Sequence, residues 1–215
     1  MNEIIFVIHI LLVAAFGLGA LRAGKEALTV WVVLQAILAN LFVVKQISFL
    51  GFEVTCSDVF AIGSVLGLNL LQEYFGRESA KRTTWVCFYF MAFFALMSQV
   101  HLIYRPGPHD ATHQAFFKIL SCSPRLLLAS LLTFFLVQQI DLRIFGKLRQ
   151  RTRHFGFANF SSLLLSQFLD TLLFSFLGLY GLVSSLFDVI FISFLLKVFI
   201  ILFITPFTSL ARRYV

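Results

Sequence analysis

Charge is what this chain most lacks. Asp, Glu, Lys and Arg together make 13% of its 215 residues, against about a quarter in a soluble domain. An ordinary water-soluble globule is excluded on that ground. Cysteine is scarce as well. Cys56, Cys87 and Cys122 form no CxxC pair and no metal-ligand spacing, which excludes a disulfide framework and a thiolate metal centre. A single Cys56–Cys122 bridge stays open, because the topology below puts both in loops on one side. The chain has no phosphate-cradling glycine loop, no GxSxG and no HExxH. Its basic segments are too short to hold a nucleotide-binding domain, so an ATP-driven motor would have to be another chain. No low-complexity tract, second-domain linker or clear internal repeat appears.

Hydrophobic residues fill the space, at 60%. They come in long runs parted by short polar, basic stretches, the pattern of membrane-spanning helices rather than of one globular core. The start, "MNEII", has no basic n-region, and "FGLGALRAG" is a poor cleavage site, so the first run reads as a helix and not as a signal peptide. The expected fold is an all-α integral membrane protein in one transmembrane domain, 1–215. It is a polytopic bundle of about seven helices at 4–21, 27–44, 58–75, 85–104, 124–140, 157–178 and 188–206. The seventh is expected to stop at Pro206.

Lys and Arg number 17 against 10 acids. With seven spans, one set of alternate loops holds twelve of the basic residues, from Arg22 and Lys25 through Arg77, Lys81, Arg82 and the 143–153 cluster to Arg212 and Arg213. The other set holds four: Lys45, Arg105, Lys118 and Arg125. Lys197 lies within the last span. The positive-inside rule then places the N-terminus outside and the C-terminus in the cytoplasm. Orientation and contact with anionic lipid account for the charge of +7 without a nucleic-acid partner.

An ionisable group at the bilayer centre costs about 2.5–3.5 kcal/mol on insertion scales. Asp170 falls near the middle of the sixth span and Lys197 near the middle of the seventh. The two helices are joined by a short loop, so the groups are expected at one depth, as a structural ion pair or as part of a site. Gln167, Asp170 and Thr171 share one helix face, at i, i+3 and i+4. Asn69 and Glu73 are i and i+4 on the third span; Gln138 and Asp141 are i and i+3 at the end of the fifth; Asn40 lies on the second. Several of these are expected to converge on a cavity. Glu73 and Asp141 could equally be solvated at the inner surface, and Asn40 and Asn69 could bond neighbouring helices. Lone His9 reads as a packing residue.

From the second span onward the sequence resembles the queuosine precursor transporter family, also called the vitamin uptake transporter family. The pieces that carry the likeness occur in family order: "LANLFVVKQISFLG" (38–51), "LNLLQEYFGRESAKR" (68–82), "VQQIDLRIFGKLRQ" (137–150), "LLLSQFLDTLLFSFL" (163–177) and "FISFLLKVFIILFITPF" (191–207). Two features depart from the pattern. Asn69 stands where many members carry Asp, and residues 4–21 add a helix before a six-helix core at 27–206. The resemblance implies a transporter, not an enzyme, needing no cofactor. Its expected role is import of a 7-deazaguanine across the cytoplasmic membrane for tRNA queuosine salvage: 7-cyano-7-deazaguanine, 7-aminomethyl-7-deazaguanine or queuine. Expected substrate contacts are Asp170, Gln167, Thr171, Lys197, Asn40, Asn69, Glu73 and Gln138, and the expected partners are that small molecule and the lipid bilayer. A second reading is a substrate-capture subunit served by a separate ATP-driven complex. A third is a membrane enzyme. The oligomeric state is open.

Overall fold

A computed structural model of the chain describes residues 1–43, 45–49, 52–121, 124–152, 154–181 and 186–211. Its helices are α1 (Asn2–Ala23), α2 (Lys25–Phe42), α3 (Ser57–Phe75), α4 (Arg77–Ile103), α5 (His113–Leu120), α6 (Pro124–Arg151), α7 (Phe155–Phe174) and α8 (Leu186–Ala211). A π-helical turn, Ser175–Leu179, prolongs α7. Between α2 and α3 lies an antiparallel hairpin, β1 (Gln46–Phe49) and β2 (Phe52–Thr55), with Gln46 opposite Thr55 and Phe49 opposite Phe52.

Six helices, α1, α2, α4, α6, α7 and α8, are long and apolar enough to cross a membrane. The protein is a multi-pass membrane protein. The third expected span is a helix where it was placed, but it is not among those six. At 19 residues α3 has the length and not the composition, since it carries Asp58, Asn69, Gln72 and Glu73. Most of it is buried among the other helices, so it meets protein where they meet lipid. The reverse holds outside: Phe16, Phe93, Leu96, Phe191 and Leu202 are exposed, as a bilayer requires and water would not allow.

Several expected boundaries move. Helix α4 begins at Arg77 rather than 85, and α6 runs on to Arg151 rather than ending at 140. Both absorb stretches that read as basic loops, because Lys and Arg are good helix formers and continue a helix into the interface. The helix at Pro206 does not stop; α8 continues to Ala211. The Thr205 hydroxyl, beside the proline, bonds the Ile201 carbonyl at 2.7 Å. The hairpin and α5 were not foreseen, although "QISFLGFEVT" carries the β-branched and aromatic runs around a glycine that mark a hairpin.

Two turns need glycine. Gly24 (φ 108°) is the only residue between α1 and α2, and Gly76 (φ 84°) the only one between α3 and α4. Residues with a Cβ rarely adopt this backbone region. Glycine also sets the closest packing. A Cβ on Gly67 would stand 2.5 Å from Val32 Cγ2 and 2.8 Å from Trp31 Cζ3, and one on Gly63 2.9 Å from Gln35 Oε1. Gly63 and Gly67 are four apart on one face of α3, the small-xxx-small pattern by which membrane helices bring their backbones together.

One end of the bundle gathers the start of α1, the hairpin, α5 and the π turn. Asn2 Nδ2 donates to Ser48 O at 2.9 Å, Gln99 Nε2 to Leu120 O at 3.1 Å, and Arg125 to the carbonyls of Leu177 and Tyr180 at 2.9 and 2.8 Å. Phe49 of the hairpin packs against Phe6 and Phe199, with ring centroids 5.0 and 5.9 Å away. The opposite end carries the Gly24 and Gly76 turns and the basic ends of α4 and α6.

Candidate functional site

Lys197 is nearly fully buried in the middle of α8. Its ammonium donates to Asp170 Oδ2 of α7 at 2.6 Å and stands 3.6 Å from Asp58 Oδ1 of α3. The expectation that Asp170 and Lys197 meet at one depth is met. Asp58 was missed. At the start of a span it reads as an interfacial first-turn acid, and only the packing of α3 against α8 brings it to the lysine. Two carboxylates around one ammonium leave a formal charge of −1, in surroundings where such a charge is expensive. Because Asp58 stands in the first turn of α3, the cluster lies toward the hairpin end of the bundle.

The cluster opens on a cavity of about 570 Å³, within the range of small-molecule sites, roughly 300–1,000 Å³. Helix α7 gives it Gln167, Asp170 and Thr171 together, as their spacing on one helix face requires. The Thr171 hydroxyl bonds the Gln167 backbone carbonyl at 2.9 Å, while Gln167 Oε1 is buried with no partner. Across the cavity α6 contributes Gln138, whose Oε1 is also unpartnered. Asn40 of α2 lines the wall too; its Oδ1 accepts from Ser130 Oγ of α6 at 2.6 Å. Ala36, Ala61 and Ser64 leave the room, and Phe94, Phe134 and Phe174 supply flat walls. Val54 and Thr55 of the hairpin and Ile119 and Leu120 of α5 line its hairpin end.

Six of the eight expected contacts therefore share one cavity, and two do not. Asn69 is buried between α3 and α7, donating to Asn159 Oδ1 at 3.0 Å. Glu73 lies at the opposite end, bound twice by Arg149 at 2.6 and 2.7 Å. The i, i+4 spacing put these two on one face, but that face of α3 turns to α6 and α7 below the cavity. Asp141 is not solvated at the surface. It is fully buried between α6 and α7, accepting from Ser162 and Ser166 at 2.5 Å each. His9 packs edge-on against Phe60, with centroids 4.5 Å apart, as expected of a packing residue. Cys122 lies outside the described residues, so the Cys56–Cys122 pairing does too. Among the described residues no group of three or more His, Cys, Asp or Glu could hold a metal ion.

A family model described as "Putative vitamin uptake transporter" matches residues 55–211. The chain belongs to that family. The matched stretch contains Asp58, Gln138, Gln167, Asp170, Thr171 and Lys197, so the cavity and its charged cluster lie largely inside it. A protein of Bacillus subtilis (strain 168) named "Probable queuosine precursor transporter" is 29% identical over 214 residues, covering 96% of this chain and 91% of its own length. That alignment also takes in most of α1, which precedes the family match. No solved structure matches the chain. Membership places the chain among transporters and sets the enzyme reading aside at the level of the family.

Proposed function

We propose that this transporter imports a 7-deazaguanine precursor of queuosine across the cytoplasmic membrane, binding it in the cavity between α2, α3, α6, α7 and α8. One observation carries the reading: a carboxylate and an amide whose oxygen has no partner stand on one helix face of an aromatic-walled cavity, where a second carboxylate leaves the lysine already supplied. A guanine-like edge presents adjacent N–H donors beside a carbonyl. A carboxylate can accept from both donors at once, and such charge-assisted pairs are the strong ones. Asp170 reads the donors, Gln167 or Gln138 meets the remaining polar edge, and Phe94, Phe134 and Phe174 cover the ring faces. Asp58 keeps Lys197 compensated while Asp170 engages substrate. Lys197 keeps Asp170 in place when the site is empty.

The name of the Bacillus subtilis relative supports this substrate class, and the basic end of the bundle supports a cytoplasmic C-terminus by the positive-inside rule. The carrier acts alone, by alternating access around a site between helices. The deciding experiment supplies each precursor separately to cells that lack queuosine synthesis and express this chain, and measures queuosine in tRNA. Restoration by a 7-deazaguanine at low external concentration is expected. No restoration by any of the three, from a chain shown to be inserted, overturns the reading. Uptake by the purified chain in liposomes, without partner proteins, separates the lone carrier from a capture subunit.

A further inference from the structure

Three carboxylates lie in the interior of the bundle among the described residues, and a lysine serves only two of them. Asp58 and Asp170 share Lys197. Asp141 has no cation. It is 0% exposed, its Oδ1 takes the hydroxyls of Ser162 and Ser166, and its Oδ2 is sealed from solvent with no partner. Two further buried oxygens accept nothing: Oε1 of Gln138, three residues before Asp141 on α6, and Oε1 of Gln167, next to Ser166 on α7. Asn159 Nδ2, three residues before Ser162, is a buried donor without a partner, and among the described residues none donates to Asp141 Oδ2. An unpaired carboxylate in such a place is costly by several kcal/mol, and a small positive charge on Oδ2 removes that cost.

The titratable groups on the elements packed against α6 leave the position open. Those not fully exposed are Lys25 on α2, Asp58, Glu73 and Tyr74 on α3, Lys81 and Cys87 on α4, and Asp170 on α7. Arg149, on α6 itself, is taken by Glu73. We infer that Asp141, held by Ser162 and Ser166, is the site of the monovalent cation that drives uptake, a proton or a sodium ion bound at Oδ2. The inference rests on the carrier reading above. It also offers a route for coupling, since Gln138 and Gln167 line the substrate cavity and stand three residues before Asp141 and one after Ser166 in the chain. A cation at Asp141 then acts on the substrate site through these two stretches of α6 and α7.

The test uses the full purified chain in liposomes with labelled 7-cyano-7-deazaguanine. Counterflow without gradients tests the carrier reading alone. An inward gradient of protons, or of sodium at constant pH, then tests the inference. The wild type should accumulate substrate, up to about tenfold for one pH unit at one proton per substrate. Asp141→Asn should keep counterflow and lose accumulation. Response to the pH gradient alone assigns the proton, and response to sodium alone assigns sodium. Undiminished accumulation by Asp141→Asn, or wild-type accumulation indifferent to both gradients where counterflow is seen, overturns the inference. If Asp141→Asn fails to insert, Ser162→Ala and Ser166→Ala stand in: reduced accumulation with intact counterflow supports the site, and unchanged accumulation in both overturns it. If the wild type shows no counterflow, the substrate reading fails, and the cation site is judged without substrate. An unfolding temperature in detergent that depends on pH or sodium in the wild type and not in Asp141→Asn supports it. The same dependence in both overturns it.

Discussion

Asp170 and Asp58 look alike as residues and differ in what each can give. Asp170 is the more accessible of the two in the cavity and the one hydrogen-bonded to Lys197; Asp58 is the more enclosed, and its oxygen stands farther off, at 3.6 Å. If Asp170 reads the substrate edge, Asp170→Asn removes charge-assisted bonds worth roughly 1.5–3 kcal/mol. Apparent affinity in uptake assays should fall roughly 10- to 100-fold. The variant should still insert, because Lys197 keeps Asp58. Unchanged affinity would mean that Asp170 serves only the lysine. Removing the lysine is a different experiment. Lys197→Met leaves two carboxylates facing each other in the bundle, and breaking a buried pair costs about 3–5 kcal/mol. Its unfolding temperature in detergent should drop sharply, and the double variant Lys197→Met with Asp58→Asn should recover part of the loss. A double variant no better than the single one would show that the carboxylates do not repel through this site.

At the scale of elements, the α2–α3 contact holds the cavity's shape. Gly67 lets α3 lie against Trp31 and Val32, and α2 and α3 then bring Asn40 and Asp58 to the same cavity. Gly67→Ala forces these helices apart or the tryptophan aside, at a cost of about 1–3 kcal/mol for overpacking. A lower unfolding temperature and weaker substrate binding are expected together. Gly19→Ala is the control, since a Cβ there meets nothing within 4 Å, and alanine is the better helix former. Equal effects of the two would show that helix propensity, rather than close approach, governs this contact. The hairpin and α5 line one end of the cavity through Val54, Thr55, Ile119 and Leu120.

For the whole molecule the decisive question is which end faces the cytoplasm. The hairpin end bears the exposed Ser48, and the basic end bears the exposed Gln150. In a chain whose three cysteines are replaced by serine, Ser48→Cys should react with an impermeant maleimide on intact cells. Gln150→Cys should react only after permeabilisation. The opposite pattern would invert the orientation and turn the proposed import pathway around. The same experiment bears on the crossing number. With α3 crossing, the chain passes through the bundle seven times and its ends lie on opposite sides; with six crossings they would share one.

The solvent, the helices and part of the site were legible in the order of the residues. Scarce charge and long apolar runs leave only a bilayer as the medium, and a 3.6-residue period puts Gln167, Asp170 and Thr171 on one face whatever they meet. Equal depth on neighbouring antiparallel helices was enough to pair Asp170 with Lys197. Which faces of non-adjacent helices touch was not legible. Asn69 and Glu73 have the spacing of a site stripe, but α3 turns that stripe toward α6 and α7. Asp58 reads as a surface acid until α3 packs on α8, and Asp141 as a solvated one until α6 runs on and α7 covers it. Helix periodicity is local and fixes a face relative to its own axis. The rotation of that face toward a partner depends on close approaches such as Gly67 on Val32 and Trp31, which only the folded bundle decides.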